Sequence, residues 1–203
     1  FDKAMTTHHW GAKPGVVINN GISLVKKQII DKELLAIKKR HDRVFVCSAN
    51  WHRQKRLKEN LELFNLVRHD NDCLIVMGTN FDAHSSGHIY FVKNATHDLC
   101  MQIYAAADWM IHLAWLDHCP NVVVEALSQE CPVICTDSGG TRELVRSNGI
   151  ILNEVQQYNF ELVDYDTPYM LPLHTIQLPD IVVDNSYIDI KKVSQQYIDA
   201  LLS

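Results

Sequence analysis

The chain has 203 residues, 47% of them hydrophobic and 21% charged, enough apolar content for one good core or two small ones and too much for a disordered chain. Its formal net charge of -5 gives no global basic field, which argues against nucleic acid as a main partner. No apolar run approaches the roughly 20 residues that span a bilayer, and the polar opening FDKAMTTHHW lacks the apolar stretch of a signal peptide. The first residue is Phe1 rather than Met, which suggests an excised or processed piece. The six cysteines lie mostly inside apolar runs, with no CxxC pair and no recognised zinc spacing against His112 or His118. That usage points to a reducing, cytoplasmic setting.

In chain order, Val16–Ile18 reads as a short strand ending in the Asn20-Gly21 turn. DKELLAIKKR follows as a helix capped by Asp31, with basic residues in its last turn matching the helix dipole. Residues 1–40 are therefore expected to be a connector. RVFVCS opens a domain as a buried strand, and the loop ANWHRQKR leads into the helix LKENLELFNLVR, whose Leu57, Leu61, Phe64 and Val67 recur at helical spacing. Further strands are expected at Cys73–Gly78, His88–Val92, Trp109–Leu113, Pro132–Thr136 and Ile150–Leu152. Helices are expected at His97–Ala107, Pro120–Gln129 and Thr141–Val145. Strands alternating with helices of about ten residues imply an α/β, Rossmann-like, doubly wound parallel sheet of about six strands over residues 41–155. Residues 156–203 form an extension, a meandering stretch followed by a helix with Ile188, Val193, Tyr197, Ile198 and Leu201 on one stripe. This helix is expected to pack back on the domain or on a neighbouring one.

The chemistry concentrates in WMIHLAWLDHCPNVVVEALSQECPVICTDSGGTRELV, Trp109–Val145. Asp117 follows a strand, Pro120 suits a first helical position, and Glu125 falls in the helix's second turn. The amides of Asn121, Val122 and Val123 would point out of the helix N-terminus, where anions and sugar oxygens bind readily. In the alternative, Asp117 is a helix-capping acid and Glu125 lies on a solvated face. Lys55, then Arg53 and Arg56, in the loop after the first strand are cations suited to a phosphate, or else a solvated basic turn. Gly139-Gly140 and Gly78 fit either turns that need a positive φ or close backbone approach to a bound group. Among the eleven histidines, His8-His9 and His118 are candidates for ligand contact. The Asp70-Asn71-Asp72 and Asp164-Tyr165-Asp166 triplets match a metal-binding DxD pattern only formally, since neither directly follows a clean buried strand.

From Ala49 to Val145 the chain resembles the C-terminal, donor-binding half of retaining glycosyltransferases of the two-Rossmann-domain (GT-B) type, family 4. The resemblance is carried by VINNGIS, VFVCSANWHRQKRL, CLIVMG, IYAAADWMIHLAW and, most specifically, D-HCPNVVVEAL-S-ECPVICTDSGGTREL. The family signature is two glutamates eight positions apart; Asp117 holds the first place here and Glu125 the second. Asn50 stands where an arginine is usual, and the glycine usual near Lys93-Asn94 is replaced. The resemblance implies that Glu125 holds the ribose hydroxyls of a nucleotide-sugar. It assigns the donor sugar to Asp117 and the amides of Cys119, Asn121 and Val122, and the diphosphate to Lys55 with Arg53 and Arg56 nearby. Lys93 and Asn94 would face the nucleobase. Asp117 and Lys55 would be the catalytic residues, with no cofactor and no bound metal.

The activity so implied is transfer of a sugar from a nucleotide-diphosphate sugar to a sugar, lipid or glycan acceptor with retention of configuration. The acceptor would be held by an N-terminal domain that these residues do not supply, on the same polypeptide or a separate chain, so the 203 residues alone are expected to turn over slowly or not at all. Any peripheral attachment to a membrane would come through that missing domain. Two alternatives are a non-catalytic nucleotide-sugar-binding module that needs a partner and, less favoured, a relative of nucleotide-sugar epimerases.

Overall fold

A computed structural model describes residues 16–25, 30–159, 161 and 163–202. Helix α1 (Lys32–Arg40) starts at Asp31, whose carboxylate accepts from the amides of Glu33 and Leu34 at 2.9 Å, and ends in three basic residues. The strands are β1 (Val44–Asn50), β2 (Cys73–Thr79), β3 (Ile89–Lys93), β4 (Trp109–His112), β5 (Val133–Thr136) and β6 (Gly149–Leu152). Between them run α2 (Leu57–Val67), α3 (His97–Ala106), α4 (Asn121–Ser128) and α5 (Thr141–Val145), and α6 (Ile190–Leu202) closes the described chain. All six strands pair in parallel in the order β3-β2-β1-β4-β5-β6. Strand order reverses between β1 and β4, which opens a crevice at the carboxyl edge of the sheet. Because every strand points the same way, Asn50, Lys93 and His112 all end on that edge.

Alternating side chains along each strand serve two cores. Val46, Ile75, Met110 and Val133 face one side, covered by Leu34 of α1, Met101 and Tyr104 of α3, Val123 and Leu127 of α4 and Leu144 of α5. Phe45, Leu74, Ile111 and Ile134 face the other, where α2 is the helix that covers them, through Leu63 and Phe64. The stretch expected to meander completes that second face: Leu171 is buried against it, and Leu173, Ile176, Leu178 and Ile181 pack around it. Its apolar residues, spaced between prolines, cover the part of this face that α2 leaves open among the described residues.

Three local expectations change. Val16–Ile18 forms no strand; instead Ile22 makes a single parallel bridge to Asp189, with Ile22 N–H donating to Ile188 O at 2.8 Å and Ile190 N–H to Ile22 O at 2.9 Å. Pro120 is the N-cap of α4 rather than its first helical residue. Of the α6 stripe, Ile188 and Val193 are buried while Tyr197, Ile198 and Leu201 are exposed, so the stripe is packed on the domain at the start of the helix and not along its length.

Arg56 departs furthest from expectation. It holds a left-handed conformation (φ 53°) at the start of α2, and its side chain is fully buried. The guanidinium donates to Glu154 Oε1 and Oε2 at 2.6 and 3.2 Å, to Tyr169 O at 2.5 Å and to Leu113 O at 3.4 Å. A bidentate, charge-assisted pair with both members out of water is a structural clasp, so Arg56 is not presented to a phosphate as expected. Arg56→Leu should strand the Glu154 carboxylate and cost about 3–5 kcal/mol in denaturant unfolding. Replacing both residues by leucine should recover much of that loss.

Candidate active site at the carboxyl edge

The loop after β4 carries Asp117, and the turn between β5 and α5 presses against it. Gly139 has φ 77°, and a Cβ there would lie 2.4 Å from Asp117 O; at Gly140 it would lie 2.0 Å from His118 O. Gly140 N–H donates to Asp117 O at 2.8 Å. The group that these glycines let approach is thus the Asp117 loop itself. Gly78 similarly lets β2 close on Ala49 O, 1.8 Å from where its Cβ would be.

Asp117 Oδ2 accepts from Lys55 Nζ at 2.5 Å and from His112 Nε2 at 3.1 Å. Lys55 comes from the 3-10 turn Arg53–Lys55 after β1, so the two loops flanking the topological switch meet through this pair. His112, the last residue of β4, is buried at 4% exposure, and the Lys55 and Asp117 side chains keep 19% and 15%. Burial pushes the Asp117 carboxyl up, but the hydrogen bond and charge of His112 and the charge and hydrogen bond of Lys55 outweigh it and hold the carboxyl well below the ordinary range. The sequence reading weighed His112 only as a zinc partner for the cysteines, without a recognised spacing, and gave it no place beside Asp117. The overlooked signal is a histidine ending a buried strand five positions before the loop acid.

The α4 N-terminus adjoins Asp117 and has no side-chain cap. Val123 and Val124 N–H return to Pro120 O at 3.0 and 3.3 Å, which removes Val123 from the expected set of open donors. Among the described residues no acceptor meets the amides of Asn121 and Val122, so both remain able to serve a ligand. Asn20 from the connector lies over this end, its Nδ2 donating to Asn121 Oδ1 at 2.8 Å and its amide to Cys119 Sγ at 3.3 Å.

Glu125 is half-buried one turn further along α4. Burial raises its carboxyl pKa and the charge of His97 partly offsets this, with His97 Nδ1 3.5 Å from Glu125 Oε1. His97 opens α3 directly after the β3 loop and is a second residue that sequence reading passed over. Lys93 and Asn94 are exposed at the end of β3; Lys93 Nζ sits 5.4 Å from the Phe81 ring centroid, and Asn94 has φ 53°. They occupy the same edge as Lys55, with β2 between the two strands that carry them. Arg53 is exposed on another side of its turn, where it lines a hollow of about 380 Å³ with Trp51, Asn80 and Pro168 that Lys55 does not reach. His8-His9 lie outside the described residues. Asp72 is buried on Arg43 at 2.5 Å, and Asp164–Asp166 form a turn in which Asp166 N–H donates to Asp164 Oδ1, so local structure accounts for both triplets.

Fold and site together define an α/β domain with a polar crevice at its topological switch. The chain belongs to the glycosyl transferases group 1 family, whose model matches residues 40–162. No curated protein matches the sequence. Among solved structures, it is similar to Anabaena HepE in complex with UDP-glucose, at 17% identity and a TM-score of 0.58 over 70% of this chain and 44% of that one. Over 96% of its length it is similar to WaaG, a glycosyltransferase involved in lipopolysaccharide biosynthesis, at 14% identity, a TM-score of 0.58 and 52% of that chain. A glycosyltransferase involved in avilamycin A biosynthesis gives 13% identity and a TM-score of 0.60 over 96% of this chain and 60% of that one. The chain thus spans about half the length of the structures it matches, and at these identities they show its fold alone, the Rossmann-like half of a GT-B architecture. Among the described residues, no helix is long and apolar enough to cross a membrane.

A depressed folded pKa at Asp117 means that its stabilising contribution is present above the unfolded carboxylate value of about 3.9 and is lost as pH falls towards the folded value. Denaturant unfolding between about pH 5 and pH 2 should therefore show wild type losing more stability on acidification than Asp117→Asn, which has no carboxylate to protonate there.

Proposed function

We propose that this chain is the donor-binding half of a retaining, family 4 glycosyltransferase that moves a sugar from a nucleotide-diphosphate sugar to an acceptor. The observation that carries the reading is the meeting of Lys55 with Asp117 at the switch-point crevice, beside an uncapped helix N-terminus and one turn before Glu125. In this reading the amides of Asn121 and Val122 and the Asp117 loop, Cys119 included, hold the donor sugar. Glu125 accepts from the ribose diol, and Lys93 and Asn94 line the base. Lys55 stabilises the diphosphate as the sugar–oxygen bond breaks, so a side-chain cation supplies the charge that a metal would otherwise bring. The departing phosphate takes the acceptor hydroxyl's proton on the face where the new bond forms, which keeps the anomeric configuration. The acceptor would be held by a second Rossmann domain across the crevice.

A non-catalytic nucleotide-sugar-binding module is the second reading, favoured by the shorter Asp117 in the place of the family's first glutamate. Calorimetric titration with UDP-, GDP- and dTDP-sugars tests the site common to both readings. Glu125→Ala should weaken the bound donor by roughly tenfold or more, the scale of a lost charged hydrogen bond. Wild-type affinity should also fall on acidification sooner than an ordinary glutamate would dictate, because a raised pKa brings Glu125 to its neutral form at higher pH. Donor binding that ignores Glu125→Ala would refute the site. Sugar transfer once an acceptor domain is restored, lost in Lys55→Met, would separate enzyme from module.

A further inference from the structure

Lys55 is committed before any phosphate arrives. Its ammonium lies 2.5 Å from Asp117 Oδ2, and both side chains are largely out of water. A diphosphate can take Lys55 only by drawing it off that carboxylate, and a buried carboxylate stripped of its cation is strongly disfavoured. The same oxygen also accepts from His112 Nε2 at 3.1 Å, from a ring that β4 and the core hold in place at 4% exposure. One oxygen with two donors from separate elements, the turn after β1 and the end of β4, is therefore a carboxylate that can release one of them and stay satisfied.

We propose that Lys55 works in two positions, on Asp117 when the site is empty and on the diphosphate when it is filled, and that His112 is the positioning residue that keeps Asp117 satisfied while Lys55 moves. The inference rests on the donor-site reading above. His112 does not touch the ligand; it acts through Asp117, by lowering what Lys55 gives up on leaving. Without it Lys55 is the remaining side-chain donor to Asp117 among the described residues, and the lysine competes less well for phosphate. The groups on Asp117 Oδ2 come from separate elements, the β1 turn and the end of β4, so one can move while the other stays.

The test is titration of the full chain with matched pairs, UMP and UDP, GMP and GDP, dTMP and dTDP, following whichever diphosphate binds wild type. His112→Leu should lower the affinity for the diphosphate by roughly tenfold while leaving the monophosphate unchanged, and His112→Gln, which keeps a donor, should restore it. Asp117→Asn in the His112→Leu background should also restore diphosphate affinity, because the competing carboxylate is gone. If His112→Leu fails to give a cooperative thermal melt, Asp117→Asn alone carries the test: it should raise diphosphate affinity severalfold in wild type but not in Lys55→Met. Equal losses for mono- and diphosphate in His112→Leu, or no recovery with Asp117→Asn, would overturn the two-position lysine and leave the donor site standing. Binding of none of the three diphosphates by wild type would overturn the donor site and this inference with it.

Discussion

The guanidinium of Arg56 ties together the segments on which the crevice depends. It starts α2, reaches the carbonyl of Leu113 beyond β4, pairs with Glu154 beyond β6 and binds the carbonyl of Tyr169 in the extended tail. An arginine with a positive φ in a fully buried position is uncommon on two counts, and the surrounding contacts account for both. Its neighbour Lys55 leaves the same turn in another direction, towards Asp117. Two adjacent cations thus divide: one anchors the loop through Glu154 and the other pairs with Asp117 at the crevice.

The two acids of the site are driven apart by their surroundings. Asp117 has His112 and Lys55 against one oxygen, and the opposing effect of burial is overcome. Glu125 has burial as its larger influence and only the exposed His97 to offset it. An acid kept charged suits a residue that must balance a lysine. One whose charge is less favoured gains more from donors that arrive with a ligand. The difference arises although both lie within the same short segment of chain.

The domain is unevenly covered. Among the described residues, four helices pack on one face of the sheet, and a single helix and the extended tail Leu171–Ile181 pack on the other. The entry and exit of the chain meet where Ile22 bridges Asp189 and Gly21 lies against Val193, whose Cγ2 would be 2.8 Å from a Cβ at Gly21. Beyond that point α6 presents Tyr197, Ile198, Leu201 and Leu202 to solvent. Its stripe was plain in the sequence, but amphipathicity says only that a face is apolar, and not which surface covers it.

Local pattern sufficed for the framework. β-branched runs, Asp31 as a cap and the ten-residue helices determined the parallel α/β order, and the spacing of Asp117 and Glu125 around Pro120-Asn121 marked the crevice. Those signals act within a few residues of chain, where periodicity and capping operate. The roles of individual cations were not legible in the same way. The sequence put Lys55 ahead of Arg53 and Arg56 as a cation for phosphate, but only tertiary contacts separate an exposed arginine, a lysine paired with Asp117 and a buried clasp whose partner lies 98 residues away. His112 and His97 likewise gained meaning only once folding brought them to Asp117 and Glu125. The sequence by itself therefore determined the alternation of strands and helices in the sheet and where the crevice opens, and the tertiary structure decided which charged side chains face it. Burial and pairing between distant segments set the state of each charge, and neither is encoded in neighbouring residues.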